Sequence, residues 1–464
     1  MASEQPPSAP AAEPAATTLT GLGGDLLREI FLLLPSLPTL VRAAFACRTF
    51  LDAVRSSPAF RRRFSELHAQ PLLGIFFDPD GPAIPAFAPV RRRDDPDLRA
   101  AVRRGDFFLT GLPDDDDDAR PGWVISDCHD GYVVLEHIYT REALAYNPLT
   151  LALDLLPPLP EEFYEGFQGH YNGLDYHIHA APEECRDHGA FRVIYACHDD
   201  SRARAAVFSS DSDARAWQVL PYSEALRTIP ESGEREHWLT AGRIVDGFVY
   251  WVYSDEAAML VLDTTTLHFS RVDLPDYLKG QTSMFRVGKT RDGVLCVVVA
   301  IEFNLYVWLR NVRDDGVEAW VRGHRFQLDD IVEDTGGTLE EHGQLKVVSV
   351  VDGVVYFSTH ETFEDANLPC WFLSIDLEEN ALDMLFQRNY DSHVHPYIMP
   401  WPRSLVRDKA CLQVEGCLLW DVVATISPEH DGWIIWEGLK CICICILEMS
   451  RSIDTNFWGI CIWL

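Results

Sequence analysis

AGRIVDGFVYWVYSDEAAMLVLDTTTLHFSRVDLP, residues 241–275, is the stretch that decides the fold. Asp246-Gly247 is a hairpin turn signal, because Gly and Asp tolerate the left-handed backbone that a two-residue turn requires. An apolar run follows, then a polar turn, then a second apolar run ending in Leu262-Asp263-Thr264, and a last short run closing on Leu274-Pro275. This is strand punctuation, not helix periodicity. Residues 126–160, SDCHDGYVVLEHIYTREALAYNPLTLALDLLPPLP, repeat the same order, with Asp130-Gly131 at the first turn and Tyr146-Asn147-Pro148 at the second. Asp-Gly returns at Asp292-Gly293 and Asp352-Gly353, and residues 191–221 form a further unit without it.

The Asp-Gly positions 130, 246, 292 and 352 are separated by 116, 46 and 60 residues. With two units in the first gap, the period is roughly 45–60 residues, filled by three or four strands, which is the mark of a β-propeller. A blade cannot bury both of its faces alone, and stacking blades in a ring buries them and removes exposed edges. Five units are recognisable and the ring has room for more. A β-sandwich is the structural alternative, against which the self-similarity of the units argues.

Composition agrees with a folded chain of two or three domains: 464 residues, 47% hydrophobic and 24% charged. The net charge of −32 is uneven. Residues 1–105 hold 13 Lys/Arg and 11 Asp/Glu, and the remainder holds 26 and 60. So acidic a body repels nucleic acid and anionic membrane and favours basic partners, although solubility alone also explains it. The first 18 residues have neither a basic start nor an apolar run, so a disordered Pro/Ala leader is expected rather than a signal peptide. The twelve cysteines include no CxxC pair. Reduced thiols and a cytoplasmic or nuclear location are expected, with no metal or other cofactor. His177, His179, Cys185 and His188 could in principle hold zinc, but nothing in their spacing fixes a tetrahedral set. The run Asp114–Asp118 lacks the Gly and Glu of a calcium loop. Trp217, Trp251, Trp308, Trp320 and Trp371 fall in strands, as blade core or as an anchor at the ring mouth. Signatures of hydrolase, metalloprotease, phosphate-loop and dinucleotide chemistry are missing from the sequence.

The front of the chain has a different texture. In GGDLLREIFLLLPSLPTLVRAAFACRTF, residues 23–50, apolar residues recur at helical spacing, with Asp25 as N-cap, Pro35 as a stop and Pro58 as a later break. Three helices are expected over 19–63. So small a module leaves part of its apolar stripe to face a neighbour.

Leu22, Glu29-Ile30, Leu37-Pro38, Leu40, Cys47-Arg48 and Pro58-x-Phe60 together resemble an F-box. Gly23 stands where that family usually has Pro, and Phe50 where it usually has Trp. The body resembles the F-box-associated region found behind many plant F-boxes, through Cys128-x-x-Gly131, Asn147-Pro148-x-Thr150, Trp217-x-x-Leu220 and Asp246-Gly247-x-x-Tyr250-Trp251 followed by Asp263-Thr264. The resemblance implies a small all-α F-box module followed by an all-β repeat domain, a β-propeller. The expected order is a leader (1–18), the F-box (19–63), a linker and start of the β domain (64–105), and the propeller-like domain (106–400). Residues 401–464 are a divergent tail or an irregular last blade. The resemblance further implies a non-catalytic substrate receptor of an SCF-type cullin ubiquitin ligase. It would hold a Skp-type adaptor, and through it a cullin, with Leu22, Leu26, Ile30, Leu34, Leu40, Cys47 and Phe50, and an unidentified target protein with the β domain. The alternatives are an adaptor-independent interaction scaffold and, further off, a propeller enzyme or sugar-binding protein.

Overall fold

The computed structural model describes residues 22–78, 84–90, 96–113, 122–180, 190–224, 226, 238–239, 242–254, 256–279, 285–312, 318–335, 345–359, 369–389, 393–402 and 405. The expected leader, the Asp114–Asp118 run, Cys185, His188 and nearly all of the 401–464 segment lie outside these residues. The chain divides into two units. The described residues of the first are its N-terminal helices to Leu67 with Pro402 and Leu405, and the second spans His68–Trp401.

Among its described residues the helical unit has four helices where three were expected: α1 (Gly24–Leu32), α2 (Leu37–Phe45), α3 (Arg48–Arg55) and α4 (Pro58–Leu67). Pro58 opens α4 rather than ending the bundle, since proline at the first helical position gives up only an N–H that has no intrahelical partner. Gly23, not Asp25, is the N-cap of α1, and Asp25 in the first turn pairs with Arg28 at 2.5 Å. Helix α1 packs on α3 and α4, and α2 on α3. Phe31 meets Phe50 edge to face, with ring centroids 5.4 Å apart. Arg61 Nη1 donates to the Arg55 carbonyl at 2.7 Å, satisfying the C-terminal end of α3.

The β unit is a six-bladed propeller. The closing blade joins β1 (Leu72–Phe77) and β2 (Ala86–Pro89), from the start of the unit, to β23 (Val394–Ile398), from its end, in the order β2-β1-β23. The second blade is β3 (Trp123–His129), β4 (Tyr132–His137), β5 (Ala143–Asn147) and β6 (Ala152–Leu155). The third is β7 (Asn172–Ala180), β8 (Phe191–His198), β9 (Ala203–Ser209) and β10 (Trp217–Val219). The fourth is β11 (Arg243–Val245), β12 (Phe248–Val252), β13 (Ala258–Asp263) and β14 (Phe269–Asp273). The fifth is β15 (Phe285–Lys289), β16 (Leu295–Ile301), β17 (Asn304–Val312) and β18 (Glu318–Gln327). The sixth is β19 (Lys346–Val351), β20 (Val354–Ser358), β21 (Pro369–Asp376) and β22 (Leu382–Asn389). Each of these five is an antiparallel meander. The innermost strands touch in the cycle β3, β7, β11, β15, β19, β23 and back to β3.

Local chemistry sets the turns. Asp130-Gly131, Asp246-Gly247 and Asp352-Gly353 all have positive φ at both residues, the geometry of the two-residue hairpin turn that Asp-Gly favours. At Asp292-Gly293 only the glycine does, and the loop is longer. The turn between third and fourth strands repeats as well. Asn147 Oδ1 accepts from Leu149 and Thr150 N–H, Asp263 Oδ1 from Thr265 and Thr266, and Asp376 Oδ1 from Glu378 and Glu379. Each turn then closes on a positive-φ residue, Leu151, Leu267 or Asn380.

The core lies between blades rather than within one. Val134, Phe191 and Phe208 fill the interface of the second and third blades, and Ile194, Val249 and Trp251 that of the third and fourth. Val252 and Val297 join the fourth to the fifth, and Val298 and Phe357 the fifth to the sixth. Ile75 and Phe372 join the sixth to the closing blade. Phe76, Phe107 and Tyr397 pack together on the other flank of the closing blade. Among the described residues, no helix is long and apolar enough to cross a membrane.

The buried Tyr397 hydroxyl donates to the Gly131 carbonyl at 2.8 Å, tying the closing blade to the first turn of the second. Tyr397→Phe leaves that carbonyl without its donor and should cost about 1–2 kcal/mol, read as a lower denaturation midpoint with unaltered strand content by circular dichroism.

Candidate functional site

Two surfaces carry the functional argument, one in each unit. On α1, helical spacing buries Leu27, Ile30 and Phe31 and turns Leu26, Glu29 and Leu33 outward. Leu26 is 49% and Leu33 46% exposed, so an apolar stripe stands open to solvent on the first helix. The residues expected to touch an adaptor therefore separate. Leu26 is exposed, and Leu22 and Cys47 are half-buried. Ile30, Leu34, Leu40 and Phe50 are buried, so their side chains are not offered to a partner in this conformation. Leu33 was missing from the expected set, although its i+7 spacing from Leu26 places it on the same face.

In the β unit, a cavity of about 460 Å³ opens among the innermost strands at the end where the Asp-Gly turns lie. Asp127, Asp130, Asp246 and Asp352 line it, with Arg243 and Lys289. Lys289 Nζ lies 3.3 Å from Asp246 Oδ1 and 3.5 Å from Asp352 Oδ1, bridging the first turns of the fourth and sixth blades. Burial disfavours the Lys289 charge, but Asp352 and Asp246 outweigh it and raise its pKa. Asp127 is buried, and its Oδ2 accepts from Ile178 N–H of the third blade at 3.0 Å. Asp78 does the same for Ile125, and Asp175 for Gly242, so carboxylates clasp one blade to the next around this part of the ring. His395 Nε2 lies 3.1 Å from Asp78 Oδ2.

The cavity is polar and acidic. Burial, reinforced by Asp127, pushes the Cys128 thiol well above its ordinary pKa, which disfavours the reactive thiolate. Of the candidate metal-ligand histidines, His177 is 1% exposed and packed 5.4 Å from the Trp251 ring, and among the described residues neither ring nitrogen is hydrogen-bonded. His179 lines the cavity, its Nδ1 2.8 Å from the Ala180 carbonyl. Among the described residues no three His, Cys, Asp or Glu side chains converge on a metal position. Trp217 and Trp251 are buried, while Trp308, Trp320 and Trp371 are half-buried on the blades.

A family model described as F-box protein AT5G49610-like, beta-propeller, matches residues 124–404. No curated protein matches the chain. Among solved structures, a chain of a nidogen/laminin complex is 12% identical with a TM-score of 0.34, covering 70% of this chain and 99% of its own. A putative 6-phosphogluconolactonase from Bacteroides fragilis is 11% identical with a TM-score of 0.30, covering 57% and 70%. Scores this low carry no argument about function.

Burial lowers the His177 pKa, with Asp127 and Asp175 pulling the other way, and burial lowers that of His179. Below pH 6.5 the unfolded chain takes up protons that these folded imidazoles refuse, so stability should fall as pH drops from 7.5 to 5.5. His177→Leu should flatten the dependence of melting temperature on pH in that window, and parallel slopes for variant and wild type would contradict this assignment.

Proposed function

This chain belongs to the AT5G49610-like F-box protein β-propeller family, and on that footing we propose that it is the substrate-recognition subunit of an SCF-type cullin ubiquitin ligase. Membership in that family supports a protein-interaction or substrate-recognition role for the propeller. The adaptor and cullin assembly belong to the proposal, as does work in the cytoplasm or nucleus. The observation that carries it is the open stripe of Leu26 and Leu33 on α1, at the front of a chain whose β unit is of this family.

In this reading a Skp-type adaptor takes the α1 face into an apolar groove, a common mode of helix recognition. Leu26 and Leu33 make the contact, Leu22 and Cys47 flank it, and the buried Ile30, Leu34, Leu40 and Phe50 hold the helix in position. The propeller holds the target, and ubiquitin is transferred by other subunits of the ligase. The contribution of this chain is proximity: holding the target beside the transfer machinery raises the effective concentration of its lysines.

Leu26→Asp/Leu33→Asp should abolish co-purification with a Skp-type adaptor while leaving circular dichroism and melting temperature near wild type, since both side chains are half-exposed. Each leucine removed from an apolar groove is worth about 1.5–3 kcal/mol, so the double variant should bind at least ~100-fold more weakly. If the wild-type chain captures no adaptor, the ligase reading fails and the scaffold reading takes its place.

A further inference from the structure

The connection from β6 to β7, residues 156–171, carries a 3-10 turn at Glu161–Tyr164 and is tied down almost group by group. The Arg204 guanidinium, from β9, donates through Nη1 to the carbonyls of Glu162, Phe163 and Glu165 at 2.8, 3.1 and 3.0 Å. Arg202 Nη2 donates to the Gly166 carbonyl at 2.9 Å. Asp199 Oδ2 accepts from Gln168 N–H, and Asp200 Oδ1 from His170 N–H, both at 3.0 Å. Gly169 has φ +83, and a Cβ there would lie 1.8 Å from Asp200 Oδ2, so the contact requires glycine.

The anchor is itself braced. Both guanidiniums lie over the Tyr222 ring at 4.4 Å, and the Trp238 indole N–H donates to the Asp199 carbonyl at 2.7 Å. Burial works against the Asp199 charge, but its hydrogen bonds from Arg202, Ser201 and Gln168 hold its pKa below the usual carboxylate value. Of the loop's aromatics only Phe163 is buried. Tyr164 and Phe167, each 45% exposed, face solvent and pack against Tyr171 with centroids 5.5 and 6.3 Å away. Glu161, Glu162 and Glu165 of the same segment are exposed and make no ion pair among the described residues.

Burying an arginine–aspartate anchor is expensive for a surface loop and adds little stability of its own. What it achieves is a fixed presentation of aromatic rings, which lowers the entropy lost on binding. Exposed rings in a segment that also carries the exposed Glu161, Glu162 and Glu165 match a cation on an aliphatic stem: the stem lies on the rings, the head meets a carboxylate, and cation–π attraction adds to both.

We propose that loop 156–171 is a recognition surface for a lysine- or arginine-bearing segment of a partner protein, held across Tyr164 and Phe167 and neutralised by Glu161, Glu162 and Glu165. The proposal deepens the target-recruiting reading of the propeller and rests on it for its biological meaning, but the binding itself needs no adaptor.

The test uses the full chain and a fluorescein-labelled peptide of alternating lysine, arginine, serine and glycine, followed by fluorescence anisotropy. A second peptide carries glutamate at every basic position. The basic peptide should bind and the acidic one should not. Tyr164→Ala/Phe167→Ala should weaken binding about tenfold or more, with Tyr164→Phe/Phe167→Tyr restoring it. Glu161→Gln/Glu162→Gln/Glu165→Gln should weaken it and flatten its salt dependence. The alanine pair leaves net charge unaltered, so general attraction to an acidic protein would survive it. Binding equal to wild type in that variant, equal binding of both peptides, or no binding of the basic peptide would each overturn the proposal. Adaptor capture measured in parallel separates the two claims. Peptide binding without adaptor capture sinks the ligase reading alone, and adaptor capture without peptide binding sinks this one alone.

Discussion

The β unit depends on the pairing of β1 with β23, in which Ile75 opposes Pro396 and Phe77 opposes Val394. This sheet turns a row of stacked blades into a ring. His395 and Asp78, which meet across it, are 317 residues apart in the chain. Bringing such distant segments together costs loop entropy that grows only slowly with length. If β23 were released, both flanks of the closing blade would be exposed at once. Phe77 packs on Phe372 of the sixth blade, and Phe76 packs on Phe107 and Tyr397.

Around that closure the blades are joined by two kinds of force. Apolar side chains fill each interface and supply the bulk of the stabilisation, since area removed from water scales with the number of interfaces. Direction comes from the polar clasps. Asp78, Asp127 and Asp175 each accept an N–H from the next blade's inner segment, and a shift between blades would leave a partly buried carboxylate unpaired. The acidic character of the channel is thus partly structural. Those carboxylates are committed to the frame, and Lys289 neutralises part of the remainder. Among the described residues, Glu161, Glu162 and Glu165 of loop 156–171 are exposed and make no ion pair.

Much of the fold was legible because its turns are local chemistry. Asp130-Gly131, Asp246-Gly247 and Asp352-Gly353 adopt the expected left-handed pair, and Asn147 and Asp263 cap the turns that follow them in the repeat. The closing blade was not legible. LLGIFF at Leu72–Phe77 and VHPYI at Val394–Ile398 carry no shared turn, and nothing in either segment says that the other will be its neighbour. The fourth helix is hidden by the ambiguity of Pro58, because proline breaks a helix interior but is favoured at the first helical position, where it stands in α4.

The candidate surfaces divide along the same line. Composition and spacing alone determined that α1 is an apolar helix, that the body is a repeat of β-hairpins, and that its charge is strongly negative, because each follows from residues near one another in the chain. Which apolar residues of α1 and the turn after it face water was decided by packing: Ile30 and Leu34 are covered, and Leu26 and Leu33 are not. The fixed loop at 156–171 was likewise invisible, because EEFYEGFQGHY is held by Arg202 and Arg204, some 40 residues further on, and only a long-range contact reveals that its aromatics are presented rather than buried.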